Sequence, residues 1–186
     1  MKLLSSGNSK LKKDGIKSFG IQAKKTCPFA GACKSFCYAS KGRYIFGSVA
    51  NAHKNRLAAT KKENFAEKIS EELRHGDIIR IHDSGDFYSK SYLNRWIEIA
   101  RAHPDNYFYA YTKSIDYFKG VSLPSNFRPI FSFGGKMDNK IDVENDFHAR
   151  IFNTREEMFA AGYADSSDSD LVAAIGKSKK IGILFH

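Results

Sequence analysis

Cysteine is scarce in this chain. There are three in 186 residues, at positions 27, 33 and 37. An odd number cannot pair completely within one chain, so a fully disulfide-stapled scaffold is excluded. There is no C-x2-C pair and no fourth cysteine, which removes the all-cysteine zinc knuckle. No apolar run approaches the roughly 18 residues that suggest a membrane helix, so no membrane association is expected. Met1 to Lys13 carries lysines without an apolar core, so it does not read as a secretory signal, and a cytoplasmic protein is expected. Internal repeats and low-complexity tracts are missing. No nucleophile elbow or Ser-His-Asp order is visible, and catalytic residues are not assignable from sequence.

What is present describes a globular chain. Hydrophobic residues make up 42%, and 15 Phe and 9 Tyr can fill a core. The length suits one domain over residues 1–186. The net charge is +10. Lysines 2, 10, 12, 13, 17, 24 and 25 precede the first cysteine against Asp14 alone. A basic balance allows a nucleic-acid partner, although a solvated surface is the plainer reading.

The chain alternates strand-like and helix-like segments. A first strand is expected within Gly15 to Ala23. Thr26 to Tyr38 reads as a loop, because Pro28 and Gly31 oppose regular structure. Leu57, Phe65, Ile69 and Leu73 then fall near one helical face, with Gly76 as the helix stop. Asp77 to Ile81 is an apolar strand. Ser89 or Ser91 caps a helix burying Tyr92, Leu93, Trp96, Ile97 and Ala100, which His103-Pro104 ends. Tyr107 to Thr112, Pro129 to Phe133, Ala149 to Phe152 and Ile181 to Phe185 read as further strands, and Asp170 to Ile175 as a short helix. Such alternation predicts an α/β fold with a mostly parallel sheet, open or closed into a partial barrel. In both arrangements the site lies at the C-terminal ends of the strands.

Polar residues collect at those ends. His82, Asp83, Ser84, Gly85 and Asp86 follow one strand and form a candidate ligand pocket, or else a helix-capping turn. Lys113 and Ser114 follow the aromatic strand and could hold an anion. Gly134-Gly135-Lys136 could present backbone N–H groups to an anion, without the full phosphate-loop pattern. His53 reads as a packed or surface histidine. The aromatics from Tyr107 to Tyr111 read as core and not as a base-stacking platform.

The cysteines are spaced Cys27-x5-Cys33-x3-Cys37. Three thiolates on one loop can grip a [4Fe-4S] cluster, because its irons occupy separate corners. One iron is then left for a non-cysteine ligand or a substrate, with His82 and His186 as candidates. A zinc site completed by a distant His or Asp is the alternative, as part of a nucleic-acid or host-protein binding module.

Several longer stretches carry a resemblance: Leu3-Leu4-Ser5-Ser6-Gly7-Asn8, Ser18-Phe19-Gly20, Thr26-Cys27-Pro28, Cys37-Tyr38-Ala39, Arg80 to Phe87 and Tyr109 to Ser114. Together they resemble the bacteriophage gene product 88 family. That resemblance implies a phage or prophage source, and hence the cytoplasm of an infected bacterium, without a defined function. The three-cysteine loop is also similar to that of radical S-adenosylmethionine enzymes. There the free iron binds S-adenosylmethionine, and a segment placed like Asp83 to Asp86 holds its amino group. The x5 and x3 spacing departs from the usual x3 and x2. The functions expected are therefore electron transfer to a redox partner, activation of a small-molecule ligand, or radical chemistry.

Overall fold

The computed structural model describes residues 2–185. Among the described residues, seven strands form one sheet in the order β1-β2-β3-β4-β5-β7-β6, and these strands all pair in parallel. They are β1 (Lys17–Phe19), β2 (Ile78–Ile81), β3 (Tyr107–Thr112), β4 (Phe127–Ser132), β5 (His148–Phe152), β6 (Ala164–Asp165) and β7 (Lys180–Leu184). The helices are α1 (Ser9–Lys13), α2 (Gly47–Ala59), α3 (Phe65–Ser70), α4 (Lys90–Ala102), α5 (Ile115–Phe118), α6 (Arg155–Ala160) and α7 (Leu171–Ala174). The α/β class and the parallel sheet expected from the alternation are borne out. No helix among the described residues is long and apolar enough to cross a membrane.

Side-chain alternation along the strands explains the two cores. Ile79 and Ile81 of β2, Phe108 and Ala110 of β3, and Phe127 and Phe131 of β4 face a large core with Trp96, Leu93 and Phe65. The intervening Ile78, Tyr109, Tyr111 and Ile130 face a smaller core with Leu11, Ala173 and Ala174. The aromatic strand is therefore core: Phe108, Tyr109 and Ala110 are fully buried. Helix α4 is amphipathic and presents Tyr92, Leu93, Trp96 and Ile97 to the sheet. Of the two serines offered as its cap, Ser89 does the work: its side chain accepts from the Tyr92 N–H at 3.2 Å. Such a cap contributes about 1 kcal/mol.

Several boundaries shift by one or two residues, β4 running Phe127–Ser132 where the sequence predicts Pro129 to Phe133, and two larger differences concern the helical stretch before β2. The helix expected from Leu57 to Leu73 is two helices, α2 and α3. The Thr60 hydroxyl bonds back to the Leu57 carbonyl at 2.7 Å and to the Tyr88 hydroxyl at 2.8 Å. That local bonding competes with helix continuation, and the chain restarts at Phe65. Gly76 does not close α3, which already ends at Ser70. Its φ of +79° instead serves the turn into β2.

Candidate functional site

The cysteine segment lies between β1 and α2 and crosses the C-terminal ends of the strands. Its stitching is mostly backbone. Cys33 N donates to the Gly134 carbonyl at 3.4 Å, and Lys136 N donates to the Phe29 carbonyl at 2.9 Å. Gly31 sits so close to Gly134 and Gly135 that an added Cβ would lie 3.0 Å from the Gly134 oxygen. On the other flank, the Tyr38 hydroxyl donates to the Asp83 carbonyl at 2.6 Å. The Gly134 and Gly135 N–H groups, read as an anion cradle, hold the chain's own Asp138 carboxylate at 2.8 Å each. That turn serves as an anchor for the loop.

All three cysteines are unpaired and half-buried, and all three line one cavity of about 310 Å³. This lies at the lower end of small-molecule pockets, roughly 300–1,000 Å³. Beneath the cysteines the wall is made by the tips of β2, β3, β4, β5 and β7. Burial pushes the Cys27 thiol up to about 11, with the nearby Asp86 and the other two cysteines adding to the rise. Burial raises Cys33 as well, against the pull of Lys113. Cys27 and Cys33 are therefore poised as neutral groups until a cation arrives. Among the described residues, no three His, Cys, Asp or Glu side chains converge as they would on a single metal ion. A cluster asks for a different arrangement, with thiolates reaching separate irons.

The residues singled out after β2 divide into two groups. Asp86, Gly85 and His82 line the cavity. Asp86 is buried and fully engaged: its carboxylate accepts from the Thr112 hydroxyl at 2.6 Å, Phe87 N at 2.7 Å and Lys113 N at 2.9 Å. Burial raises its pKa against those three bonds. Gly85 has φ +85°, and a methyl there would lie 2.5 Å from Ile21 Cγ1 and 2.7 Å from Thr26 Oγ1. It lets the β2 tip approach the start of the cysteine loop. Ser84 closes the same approach, donating its hydroxyl to the Ile21 carbonyl at 2.9 Å. Asp83 accepts from the Ser18 hydroxyl at 3.3 Å, and its other carboxylate oxygen lies against Gly20.

Among the described residues, His82 is one of two non-glycine residues with positive φ, at +65°. That backbone turns the imidazole into the large core, where it packs on Phe87 with ring centroids 4.6 Å apart and bonds the Tyr92 hydroxyl at 2.9 Å. His186, the other candidate fourth ligand, lies outside the described residues. Lys113 lines the cavity beside Cys33, but its ammonium already donates to Ser132 O, Ser132 Oγ and Phe133 O at 2.8–3.0 Å. Burial lowers its pKa, and the neighbouring Cys33 and Asp86 oppose the fall. It supplies fixed positive charge beside the thiols. Ser114 is fully buried and ties its hydroxyl to the Phe87 carbonyl at 2.8 Å.

The floor of the cavity holds residues that sequence reasoning missed. Asp170 is fully buried and accepts from Arg80 Nη1 at 2.8 Å and the Tyr109 hydroxyl at 2.6 Å, with Lys10 Nζ also at 2.6 Å. Arg80 lies over the Tyr111 ring at 4.9 Å. One signal was available: Arg80 is the only charged residue in the apolar run Ile78 to Ile81. Together Lys10, Arg80, Lys113 and Arg150 outnumber Asp86 and Asp170 along the cavity, leaving it net positive and suited to a thiolate-ligated centre. A second hollow of about 400 Å³ lies between the N-terminal segment and the turn before β2. Its Glu72 carboxylate is taken by Leu3 N and Leu4 N at 2.6 and 2.8 Å, so the hollow carries no comparable chemistry.

A family model described as Gene product 88 matches residues 2–185. The chain belongs to this family. The expectation drawn from its motifs is thereby borne out. Among curated relatives, the Gene 88 protein of Mycobacterium phage L5 is 28% identical over 102 residues, covering 47% of this chain. The alignment spans 43% of that relative's own length. No solved structure matches the chain. Membership in the family connects the chain to bacteriophages and brings no assigned chemistry with it.

Proposed function

We propose that Cys27, Cys33 and Cys37 hold one [4Fe-4S] cluster, and that this phage protein uses it for electron transfer or for activating a small ligand. One observation carries the reading: the chain's only three cysteines, all unpaired, line a single net-positive cavity at the C-terminal ends of a parallel sheet. When bound, the cluster supplies one-electron chemistry and an iron without a cysteine ligand. The chain's own residues do the rest. The loop anchors at Gly134 and Asp83 fix the thiols over the cavity. Lys113 offsets thiolate charge near Cys33, and Asp86 locks the tips of β2 and β3 together.

A second reading makes S-adenosylmethionine the ligand of the remaining iron. It is favoured by the Asp83 to Asp86 segment, which follows β2 and packs directly on the start of the cysteine loop. Release of 5′-deoxyadenosine from the reduced protein would support it. An intact cluster that yields none, with no change in its EPR signal on adding the compound, would remove it.

Single alanine substitutions at the three cysteines test the first reading. Each variant, purified without oxygen, is expected to lose most of its iron and its brown colour while keeping the parent's far-ultraviolet circular dichroism. Full iron content in all three variants would refute the assignment.

A further inference from the structure

The positive charge of this protein is not spread over its surface. Residues 15–62 contain ten Lys or Arg and no Asp or Glu, whereas the rest of the chain holds twenty of each sign. The whole net charge of +10 therefore belongs to one segment of 48 residues. That segment comprises β1, the cysteine loop laid across the strand tips, and α2. Two of its ten cations have carboxylate company: Lys17 pairs with Asp77, and Arg56 feels Asp83. The other eight are exposed, among them Lys34, Lys41 and Arg43 beside the cysteines and Lys61 and Lys62 beyond α2.

The same segment exposes aromatic rings. Phe36 is 38% exposed, Tyr38 57% and Phe46 58%, although a chain with two buried cores had places to hide them. Tyr38 is held rather than loose, since its hydroxyl is fixed on the Asp83 carbonyl while the ring stays open. Phe36 packs edge-on against Phe185 at the cavity rim, with centroids 6.3 Å apart. Exposed rings interleaved with unpaired cations are what a single-stranded nucleic acid needs: cations along the phosphates and ring faces for unpaired bases. A duplex offers no free base faces, and the spacing of rings among cations matches bases among phosphates; an anionic membrane, which also takes rings and cations, is separated by the vesicle arm of the test.

We propose that the acid-free segment over the cysteine cavity is a docking surface for single-stranded nucleic acid. The proposal stands on charge and exposure and does not rest on the cluster assignment.

Fluorescence anisotropy of a labelled single-stranded DNA of about 15 nucleotides, with its duplex as comparison, tests it on the full chain. Affinity for the single strand is expected to exceed that for the duplex and to fall steeply between about 50 and 200 mM salt. Reversing Lys34, Lys41 and Arg43 together to Glu should lower affinity at least about tenfold and flatten the log–log salt slope by about 2. Phe36→Ala with Phe46→Ala should weaken binding at least about thirtyfold while leaving the slope unchanged. Lys119→Glu with Lys177→Glu, outside the segment, should do neither. No binding at about 50 mM salt would overturn the proposal. So would equal affinity for duplex, equal loss in the Lys119 and Lys177 variant, or binding to anionic lipid vesicles without binding to the oligonucleotide. Iron content of each variant, read in parallel, separates failure here from failure of the cluster assignment.

Discussion

Asp170→Asn is expected to destabilise the protein by about 3–5 kcal/mol, the usual effect of breaking a buried ion pair. For a chain of this size that corresponds to a fall in Tm of roughly 6–20 °C, at about 2–4 °C per kcal/mol. The reason is the company Asp170 keeps. It takes Arg80 from β2, Tyr109 from β3 and Lys10 from α1, while its own N–H donates to Asp14 at 2.7 Å. Asparagine keeps the size and one acceptor oxygen but removes the charge. Arg80 is then left buried without a counter-ion, and that unpaired charge is the largest part of the cost. Burial alone would raise the Asp170 carboxyl, but Arg80 and then Lys10 hold it below the ordinary carboxylate range. Its stabilisation is therefore present above the unfolded carboxylate pKa and is lost as pH falls through the folded value. Replacing both partners, as Arg80→Met with Asp170→Leu, should recover much of the loss. A calorimetric Tm for Asp170→Asn within about 2 °C of the parent would contradict this account, since that corresponds to less than about 1 kcal/mol.

The second large effect is acid lability through His82. Its imidazole is 2% exposed, packed among Phe19, Phe87 and Tyr92. Burial lowers its pKa from 6.5 to about 3. Between those two values the unfolded chain takes up a proton that the folded chain refuses. Stability therefore falls as pH drops from about 6.5 toward 3, by up to about 1.4 kcal/mol per pH unit from this one group. His82→Asn removes the titration, and asparagine tolerates the positive φ that the position demands. The variant will lose some packing, so the informative quantity is the slope. Denaturant midpoints measured across this pH range should decline less steeply for His82→Asn than for the parent. Parallel slopes would mean that His82 is not held neutral in the core.

Most of the strands were legible because they are short apolar runs followed by polar residues. That same pattern located the site at their C-terminal ends. Gly85, Asp86 and Lys113 were visible as candidates for the same reason, and the cysteines by their number and spacing. Asp86 and Lys113 take more structural parts than their chemistry suggested, because their bonds run to Thr112 and Ser132, whose proximity only the parallel register creates. The Arg80–Asp170 pair spans 90 residues of chain, and no local periodicity carries that information. Strand β6 has two residues and leaves no pattern to read. The break between α2 and α3 turns on one threonine hydroxyl, which a smooth hydrophobic stripe conceals.

Iron, acid-labile sulfide and zinc per chain, measured on protein purified without oxygen, test the central claim most directly. The three-cysteine cavity predicts about four irons and four sulfides, with a broad absorbance near about 400 nm that bleaches on reduction. One zinc without sulfide, or no metal at all after reconstitution with iron and sulfide, would contradict it.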